Sequence, residues 1–227
     1  MPSSRKPVAI LGAGSWGTAL AITAARTHQD NHVFLWDHDP VHCEKIQTSR
    51  ENNRYLPGIS LPENLIAIAD LERIIETAAE IIIAVPSHAF RSILQTLKST
   101  GHPLAGLTWA TKGLEPQTGL LMHQVVSDEL DDNMPIAVLS GPTFAKEVAQ
   151  GLPTAITLAS SSEHHAQKII SSLHSVYFRV YQSQDVIGVE LGGSIKNILA
   201  IATGISDGLG FSANTRAALI TRGLNEM

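Results

Sequence analysis

The chain has 227 residues, 44% of them hydrophobic and 5% aromatic, enough for one large domain or for one domain and part of another. Its 16 basic and 21 acidic residues give a formal net charge of −5, which argues against a general nucleic-acid-binding protein. Cys43 is the single cysteine, which excludes an internal disulfide and predicts a reducing compartment. No room precedes the first strand pattern for the apolar part of a secretory signal, and no apolar run approaches membrane-spanning length. We therefore expect a soluble cytoplasmic protein without membrane insertion.

Short apolar runs alternate with helical patterns from the start of the chain. The runs predict strands at Val8–Leu11, Val33–Trp36, Ile81–Val85, Leu107–Thr111, Ile136–Leu139, Ala155–Ala159 and Phe178–Tyr181. The intervening periodicity predicts helices at Trp16–Thr27, Pro40–Ser49, Ala89–Ser99, Leu120–Glu129, Thr143–Gln150 and Glu163–His174. Such alternation is typical of an α/β fold with a doubly wound, mainly parallel sheet.

Two stretches depart from this alternation. The segment "RENNRYLPGISLPENL", residues 50–65, contains two prolines and several asparagines and is predicted to be a long loop. From about Val186 onward the pattern is helical only. We expect a dinucleotide-binding domain over residues 1–185 and the first part of an all-helical second domain over residues 186–227. A helical domain of about 40 residues is marginal alone, so this part is expected to dock on the sheet, pair with another chain or continue further.

A glycine-rich turn follows the first predicted strand. In "VAILGAGSWGTALA", Gly12, Gly14 and Gly17 have the G-x-G-x-x-G spacing between a strand and a helix. Gly12 permits a tight turn, Gly14 lets a pyrophosphate approach the backbone, and Gly17 permits close packing of helix on strand. Amides at the helix start, including those of Ser15 and Trp16, would face the phosphates. The sequence therefore predicts a Rossmann-type site for a dinucleotide.

The end of the second strand is expected to bind the adenosine half of the cofactor. Asp37, 20 positions after Gly17, lies where an acid commonly bonds the ribose 2′-hydroxyl, which favours NAD. His38 favours a 2′-phosphate and therefore NADP. The choice between NAD and NADP stays open, and both side chains are also typical of a solvated turn.

Three other predicted strands end in residues that suit a ligand, because ligands in such sheets bind beyond the carboxyl ends of the strands. Phe90 follows "AVPSHA" and is a candidate to lie against a flat cofactor ring, or else packs its helix. Lys112 follows a strand directly, where cofactor and substrate should meet, although a surface position is the commonest explanation for any lysine. Gly141 and Thr143, in "SGPTFAKEVA", offer amides and a hydroxyl as a polar cradle, with helix capping as the ordinary alternative.

The segment "ELGGSIKNILAIATG" places Lys196 and Asn197 in a helix that is otherwise apolar. Most of this helix is expected to be buried, with a narrow polar stripe of Lys196, Thr203 and Asp207. An ammonium group on such a helix needs a partner or ligand, unless the side chain extends its charge into solvent.

Metal and covalent catalysis are not predicted. The ten histidines show no metal-ligand spacing, and His164 and His165 are expected to lie on a solvated helix face. Ser194 has no histidine and acid arranged to activate it as a nucleophile.

Several of these motifs together resemble one known family. "GAGSWGTALA", "NNRYLPGISLP", "VPSHAF", "WATKGLE", "SGPTFAKEVA", "GLPTAITLAS" and "GVELGGSIKNILAIATGISDGLGFSANTRAALITRGLNEM" are similar, in this order, to bacterial NAD(P)-dependent glycerol-3-phosphate dehydrogenases. "WATKG" and "GGSIKN" are more specific than the glycine motif. The resemblance implies interconversion of dihydroxyacetone phosphate and sn-glycerol 3-phosphate, which supplies phospholipid synthesis, and a homodimer formed through the helical domain.

The resemblance also implies residue roles. Lys196 matches the active-site lysine, Asn197 its substrate-contacting neighbour, and Lys112 a lysine that touches cofactor and substrate. Gly141 and Thr143 match substrate contacts. The nucleotide contacts of the family match Ser15, Trp16, His38, Tyr55 and Ala145.

The family pattern continues beyond the position of Met227. That further region holds an aspartate that partners the active-site lysine and a Ser-Arg-Asn cluster that binds the substrate phosphate. We therefore expect this chain to be part of a longer enzyme.

The implied chemistry is hydride transfer between a nicotinamide and a ketone carbon. Lys196 would donate the proton in reduction and accept it in oxidation, with Lys112 and Asn197 orienting the substrate. Two alternatives remain at this point: a related β-hydroxyacid dehydrogenase or ketopantoate reductase, and a nucleotide-binding module without catalysis.

Overall fold

The protein is described by a computed structural model that covers residues 7–225. Within this range eight strands form one sheet. The strands are β1 (Val8–Leu11), β2 (Val33–Trp36), β3 (Leu65–Ile68), β4 (Glu80–Ile83), β5 (Leu107–Trp109), β6 (Ile136–Ser140), β7 (Thr154–Ser160) and β8 (Phe178–Ser183).

A helix follows each of the eight strands, and a second helix follows the one after β8. The helices are α1 (Ser15–Thr27), α2 (Pro40–Ser49), α3 (Leu71–Thr77), α4 (Ser87–Ser99), α5 (Met122–Glu129), α6 (Ala145–Gln150), α7 (Glu163–Leu173), α8 (Val186–Gly208) and α9 (Ala213–Asn225). The last two follow β8 without a further strand among the described residues, as the sequence predicts.

The strand order is β3-β2-β1-β4-β5-β6-β7-β8. All neighbouring pairs are parallel except β6 and β7, which are antiparallel. The order reverses between β1 and β4, the point at which doubly wound sheets bind their ligands. The predicted doubly wound, mainly parallel sheet is confirmed.

The sheet is buried on both faces. Along β1, Val8 and Ile10 pack with α1, α6 and α7, whereas Ala9 and Leu11 pack with α3, α4 and α5. All four residues of β1 are buried because helices cover both sides, which is why the strand is a continuous apolar run rather than an alternating one.

Two short elements are not predicted from the sequence, and several observed boundaries differ from the predicted ones. These elements are β3 and α3, which have four and seven residues. The apolar run of β3 begins at Leu65, the last residue of the predicted loop. The N-cap of α3 is Asp70, whose carboxylate accepts from the amide of Arg73 at 3.0 Å. Elements this short carry little periodicity, so tertiary pairing with β2 decides the conformation of β3.

The expectation that most of α8 is buried is wrong for the part of the chain that the structure describes. Ile198, Ile201 and Ile205 are 64%, 64% and 59% exposed. The helix makes its main contacts with α9, β6, β7 and α5, which cover only one side of it. Asp207, from the predicted polar stripe, pairs with Arg216 of α9 at 2.8 Å.

The 23-residue helix α8 also has the length and apolar composition of a membrane-spanning segment, with a mean hydropathy of 1.3 over an 18-residue window. By these two criteria, the expectation that no apolar run approaches spanning length is wrong. A single such helix is weak evidence for a membrane protein, since helices of soluble proteins meet the same criteria.

A cluster of charges joins α4 to the segment after β5. Arg91 donates two hydrogen bonds to the carboxylate of Glu115, both 2.8 Å long, and also contacts Glu129 and Asp128 of α5. The Thr118 hydroxyl donates to the same Glu115 carboxylate. These bonds lower the pKa of Glu115 to about 2, with Arg91 as the largest cause.

Replacement of Glu115 by Gln is expected to lower the melting temperature at pH 7. Because the folded-state pKa of Glu115 is depressed, its stabilisation is present above the unfolded pKa and is lost as pH falls toward about 2. The difference in melting temperature between wild type and Glu115→Gln should therefore shrink between about pH 5 and pH 2. Glu44→Gln, at an exposed site on α2, is the control. A difference that does not vary with pH would contradict this account.

Candidate active site

The glycine-rich turn has the conformation that its spacing predicts. Gly12 has a φ of +120°, and a Cβ there would lie 2.9 Å from the carbonyl oxygen of Ala84 at the end of β4. A Cβ on Gly17 would overlap the carbonyl oxygen of Gly12. The lack of a side chain at Gly12 therefore lets the turn pass close to the end of β4, and the lack of one at Gly17 lets α1 pack close to the turn.

Gly14 serves a different purpose. A Cβ there would meet nothing within 4 Å, and no side chain caps the start of α1. The amides of the first turn thus face open space at the positive end of the helix dipole. The residues present fit the pyrophosphate of a dinucleotide, because a phosphate can approach a backbone that has no side chain at this point.

Ser15 and Trp16 begin α1 beside this open space, as predicted. The indole Nε1 of Trp16 is buried without a hydrogen-bond partner. Asn52, which the sequence analysis assigned no role, holds the turn in place: its side-chain amide donates to the carbonyl oxygen of Ala13 and to the Thr18 hydroxyl, both at 2.8 Å. The polar "NNRY" run was the only sequence signal for this residue.

At the end of β2, the carboxylate of Asp37 accepts from the amide of Asp39 and lies 3.2 Å from Nδ1 of His38. The side chain of His38 is 86% exposed and that of Asp37 only 13%. Tyr55, in the loop after α2, is partly exposed, with the guanidinium of Arg54 4.9 Å from its ring centre. Asp37 and His38 thus lie side by side at the carboxyl end of β2, where the ribose of a dinucleotide is expected.

Phe90 is placed differently from the predicted cofactor contact. Its side chain is fully buried and packs edge-to-face on Trp109, with ring centres 6.0 Å apart. A flat cofactor ring has no access to a side chain without exposed surface. The alternative interpretation, helix packing, is the one that the structure shows.

The two predicted active-site lysines meet at one oxygen. The ammonium nitrogen of Lys112 lies 3.2 Å from the carbonyl oxygen of Gly141, and that of Lys196 lies 3.4 Å from the same atom. They come from the segment after β5 and from α8, and the acceptor follows β6. Burial, and then the nearby charge of Lys196, lower the pKa of Lys112. Lys196 itself is exposed.

A cleft of about 250 Å³ adjoins this convergence. It is lined by the end of β6, by β7 and by one side of α8, namely Ser140, Gly141, Pro142, Thr157, Val189, Gly192, Gly193 and Lys196. Helix α8 approaches β6 closely there, since a Cβ on Gly193 would lie 2.7 Å from the hydroxyl of Ser140. Asn197 is exposed on α8 and is not among the residues lining this cleft.

The start of the helix after β6 differs from the predicted one. Helix α6 begins at Ala145 rather than at the predicted Thr143, and its N-cap residue is Phe144, without a side-chain cap. Thr143 therefore does not cap the helix. Its hydroxyl is buried without a hydrogen-bond partner, so its capacity to donate and accept hydrogen bonds is unused in this structure.

His164, His165 and Ser194, which are not predicted to be catalytic, have ordinary structural positions. His165 is buried, not solvated as expected, because it bonds the hydroxyl of Thr108 at 3.0 Å between α7 and β5. His164 is exposed. The hydroxyl of Ser194 donates to the carbonyl oxygen of Glu190 one helical turn earlier, at 2.9 Å.

Comparison with family models matches two parts of the chain. Residues 7–166 match the N-terminal model of NAD-dependent glycerol-3-phosphate dehydrogenase, and residues 185–227 match the C-terminal model. The chain belongs to the NAD-dependent glycerol-3-phosphate dehydrogenase family. This membership decides against the β-hydroxyacid dehydrogenase and ketopantoate reductase alternative.

Individual relatives agree. The glycerol-3-phosphate dehydrogenase [NAD(P)+] of Haemophilus influenzae strain PittEE is 52% identical over 228 residues, and that of Mannheimia succiniciproducens is 50% identical; each match covers 100% of this chain and 68% of the relative. The crystal structure of the Coxiella burnetii glycerol-3-phosphate dehydrogenase matches with a TM-score of 0.92 at 50% identity, over 98% of this chain and 67% of that one. The chain thus spans about two thirds of the length of these relatives.

Alanine at position 14 is expected to separate dinucleotide binding from folding. The methyl group of Gly14→Ala enters open space and leaves the fold intact, but it occupies the approach of the phosphates. The dissociation constant of the reduced dinucleotide, measured by fluorescence titration, should rise about tenfold or more, equivalent to about 1.4 kcal/mol. Gly204→Ala, also in open space but on α8, should leave it unchanged. Unaltered affinity in Gly14→Ala would place the phosphates elsewhere.

Proposed function

We propose that this protein interconverts dihydroxyacetone phosphate and sn-glycerol 3-phosphate, with NAD or NADP as the redox partner. The observation that carries the proposal is the convergence of the Lys112 and Lys196 ammonium groups on the oxygen of Gly141. Family membership and the names of relatives at about 50% identity support the same reaction. The product would enter glycerophospholipid synthesis.

The bound nicotinamide supplies or accepts the hydride. The protein's part begins at the open first turn of α1, where Gly14, Ser15 and Trp16 would hold the pyrophosphate. Asp37 and His38 would bind the adenosine side, and Tyr55 and Ala145 are the remaining proposed nucleotide contacts. Together these groups fix the nicotinamide end beyond the carboxyl ends of β1 and β4.

Lys196 is the proposed general acid and base. In the direction of reduction, its Nζ would donate a proton to the carbonyl oxygen of the ketone, and in oxidation it would take the proton from the hydroxyl. Its exposed position beside the cleft suits exchange of that proton with solvent. A positioned proton donor of this kind contributes about 10²–10⁴-fold to the rate.

Lys112 is the proposed electrostatic partner. Its ammonium group is partly buried beside that of Lys196, so its charge would act on the developing alkoxide with little screening by water. Gly141, Thr143 and Asn197 would orient the substrate. Thr143 has a buried, unpartnered hydroxyl, which supports this role.

Further features of the whole protein belong to the same proposal. Residues 1–185 would form the dinucleotide-binding domain, and residues 186–227 would begin a helical domain that also joins two copies into a homodimer. The exposed apolar residues of α8 and α9 support this proposal, because the rest of the helical domain or a second copy would cover them. The single buried cysteine, Cys43, suits the reducing conditions of a cytoplasm.

Removal of the Lys196 side chain tests the proposed function. In the complete enzyme, Lys196→Ala should lower kcat about 10²–10⁴-fold, because the proton donor is lost, while dinucleotide affinity stays within about twofold. The measurement is the loss of reduced-cofactor absorbance on addition of dihydroxyacetone phosphate. Lys98→Ala, at the far end of α4, is the matched control. Full turnover by Lys196→Ala would refute the role, and absence of turnover in the wild type would refute the reaction.

A further inference from the structure

A buried carboxylate on α8 takes no part in the chemistry proposed so far. Glu190 is 6% exposed and lies six residues before Lys196 on the same helix. Its Oε1 accepts from the indole Nε1 of Trp109 at 3.0 Å and from the backbone amide of His123 at 3.1 Å. Its Oε2 lies 2.5 Å from Nδ1 of His123. A carboxylate is buried at a cost unless such partners satisfy it, so its place is specific.

The partners of Glu190 have a common position in the fold. Trp109 is the last residue of β5, and His123 is the second residue of α5. Between them runs the segment of residues 110–121, which we call the Lys112 loop because it carries that lysine. One side chain of α8 therefore bonds the element that enters the Lys112 loop and the element that leaves it.

The same helix has two further contacts beyond Glu190. Gly193 brings it close to Ser140 at the end of β6, and the Lys196 ammonium group reaches the oxygen of Gly141. Lys196 lies about 9 Å along the helix from Glu190. A rotation or slide of α8 at Glu190 would therefore move the Lys196 ammonium group relative to that of Lys112.

Burial raises the pKa of Glu190, whereas the bonds from His123 and Trp109 oppose that rise. His123 is partly exposed and Trp109 is fully buried, so the bonds to Glu190 extend from the core to the surface. The other two donors to Glu190 are the backbone amide of His123 and the indole of Trp109. Neither loses its proton at ordinary pH. A neutral carboxamide at position 190 can therefore accept the same two hydrogen bonds.

We propose that Glu190 is a positioning residue that clamps α8 to both ends of the Lys112 loop and so sets the spacing of the two lysine ammonium groups. The kinetic consequence rests on the proposed function. A displacement of about 1 Å in a reacting group costs about 10²-fold in rate, so loss of the clamp lowers kcat. The dinucleotide site at Gly14 lies on other elements, so its affinity is unchanged.

The test uses Glu190→Ala and Glu190→Gln in the complete enzyme. Glu190→Ala should lower kcat about 10- to 100-fold with the dinucleotide dissociation constant unchanged. Glu190→Gln should retain most of kcat, because its carboxamide oxygen accepts from Trp109 and His123 while its nitrogen donates to the other tautomer of the imidazole. If Glu190→Ala does not fold, His123→Ala, which removes only the side-chain bond at the partly exposed end, takes its place.

A matched control is a buried carboxylate at the opposite edge of the sheet. Glu80, 7% exposed, begins β4 and lies 3.7 Å from the ammonium nitrogen of Lys168. Glu80→Gln and Glu80→Ala should lower the melting temperature without lowering kcat at a temperature well below unfolding. A general loss of stability is thereby separated from displacement of the lysines.

A second measurement does not depend on turnover. The pKa of Lys112, followed by NMR of reductively ¹³C-methylated lysines, should rise toward its ordinary value in Glu190→Ala, because burial and the charge of Lys196 both lower it in the wild type. It should stay lowered in Glu190→Gln and in Glu80→Ala.

The outcomes distinguish the inference from the function. If the wild type is active, and Glu190→Ala changes neither the Lys112 titration nor kcat, the clamp is overturned. It is also overturned if Glu190→Gln is as impaired as Glu190→Ala. A wild type without turnover on dihydroxyacetone phosphate overturns the proposed reaction. The clamp still stands in that case if the Lys112 titration moves in Glu190→Ala and not in Glu190→Gln.

Discussion

Two ammonium groups that repel each other are held against one backbone carbonyl oxygen, and the remaining structure around the cleft serves that arrangement. Lys112 comes from the segment after β5, Lys196 from α8, and the oxygen of Gly141 from the end of β6. Burial, and to a lesser extent this repulsion, lowers the pKa of Lys112. A developing negative charge placed between the two cations relieves this repulsion, so the site is better suited to an alkoxide than to a neutral ketone.

Such an arrangement needs rigid support from outside the cleft. The Lys112 loop is fixed on one side by the bidentate bond between Arg91 and Glu115 and on the other by the bonds of Trp109 and His123 to Glu190. Charge-assisted bonds of this kind are short and directional, so they restrict position as well as adding energy. The supports are partly or fully buried, whereas the Lys196 side chain is exposed.

The fold was largely predictable because its signals are local. The apolar strands, the G-x-G-x-x-G turn and the alternation of strands with helices all follow from periodicity and backbone geometry within short windows. The short elements β3 and α3 are not predicted because pairing with β2 determines the conformation of β3, and a single N-cap residue determines the start of α3. Helix α8 is predicted to be buried because its composition is apolar. Composition alone does not show that the described chain covers only one of its sides.

Individual residues of the site could be predicted from the sequence, but the long-range contacts that support them could not. Lys112, Gly141 and Lys196 carry motif signals, and the structure brings them together. Phe90 shows the limit of such reasoning, because an aromatic residue after a strand has the same pattern whether it lines a groove or packs the core. Asn52 and Glu190 act across 34 and 81 positions of the chain respectively, distances over which a single sequence gives no indication of contact.

A crystal structure of the complete enzyme with NAD(H) and sn-glycerol 3-phosphate bound would test the roles of the two lysines most directly. We expect the Lys196 Nζ within hydrogen-bond distance, about 2.7–3.2 Å, of the substrate's C2 oxygen, with the Lys112 ammonium group beside it. A C2 oxygen bound remote from both ammonium groups, with Lys196 directed into solvent, would contradict these roles.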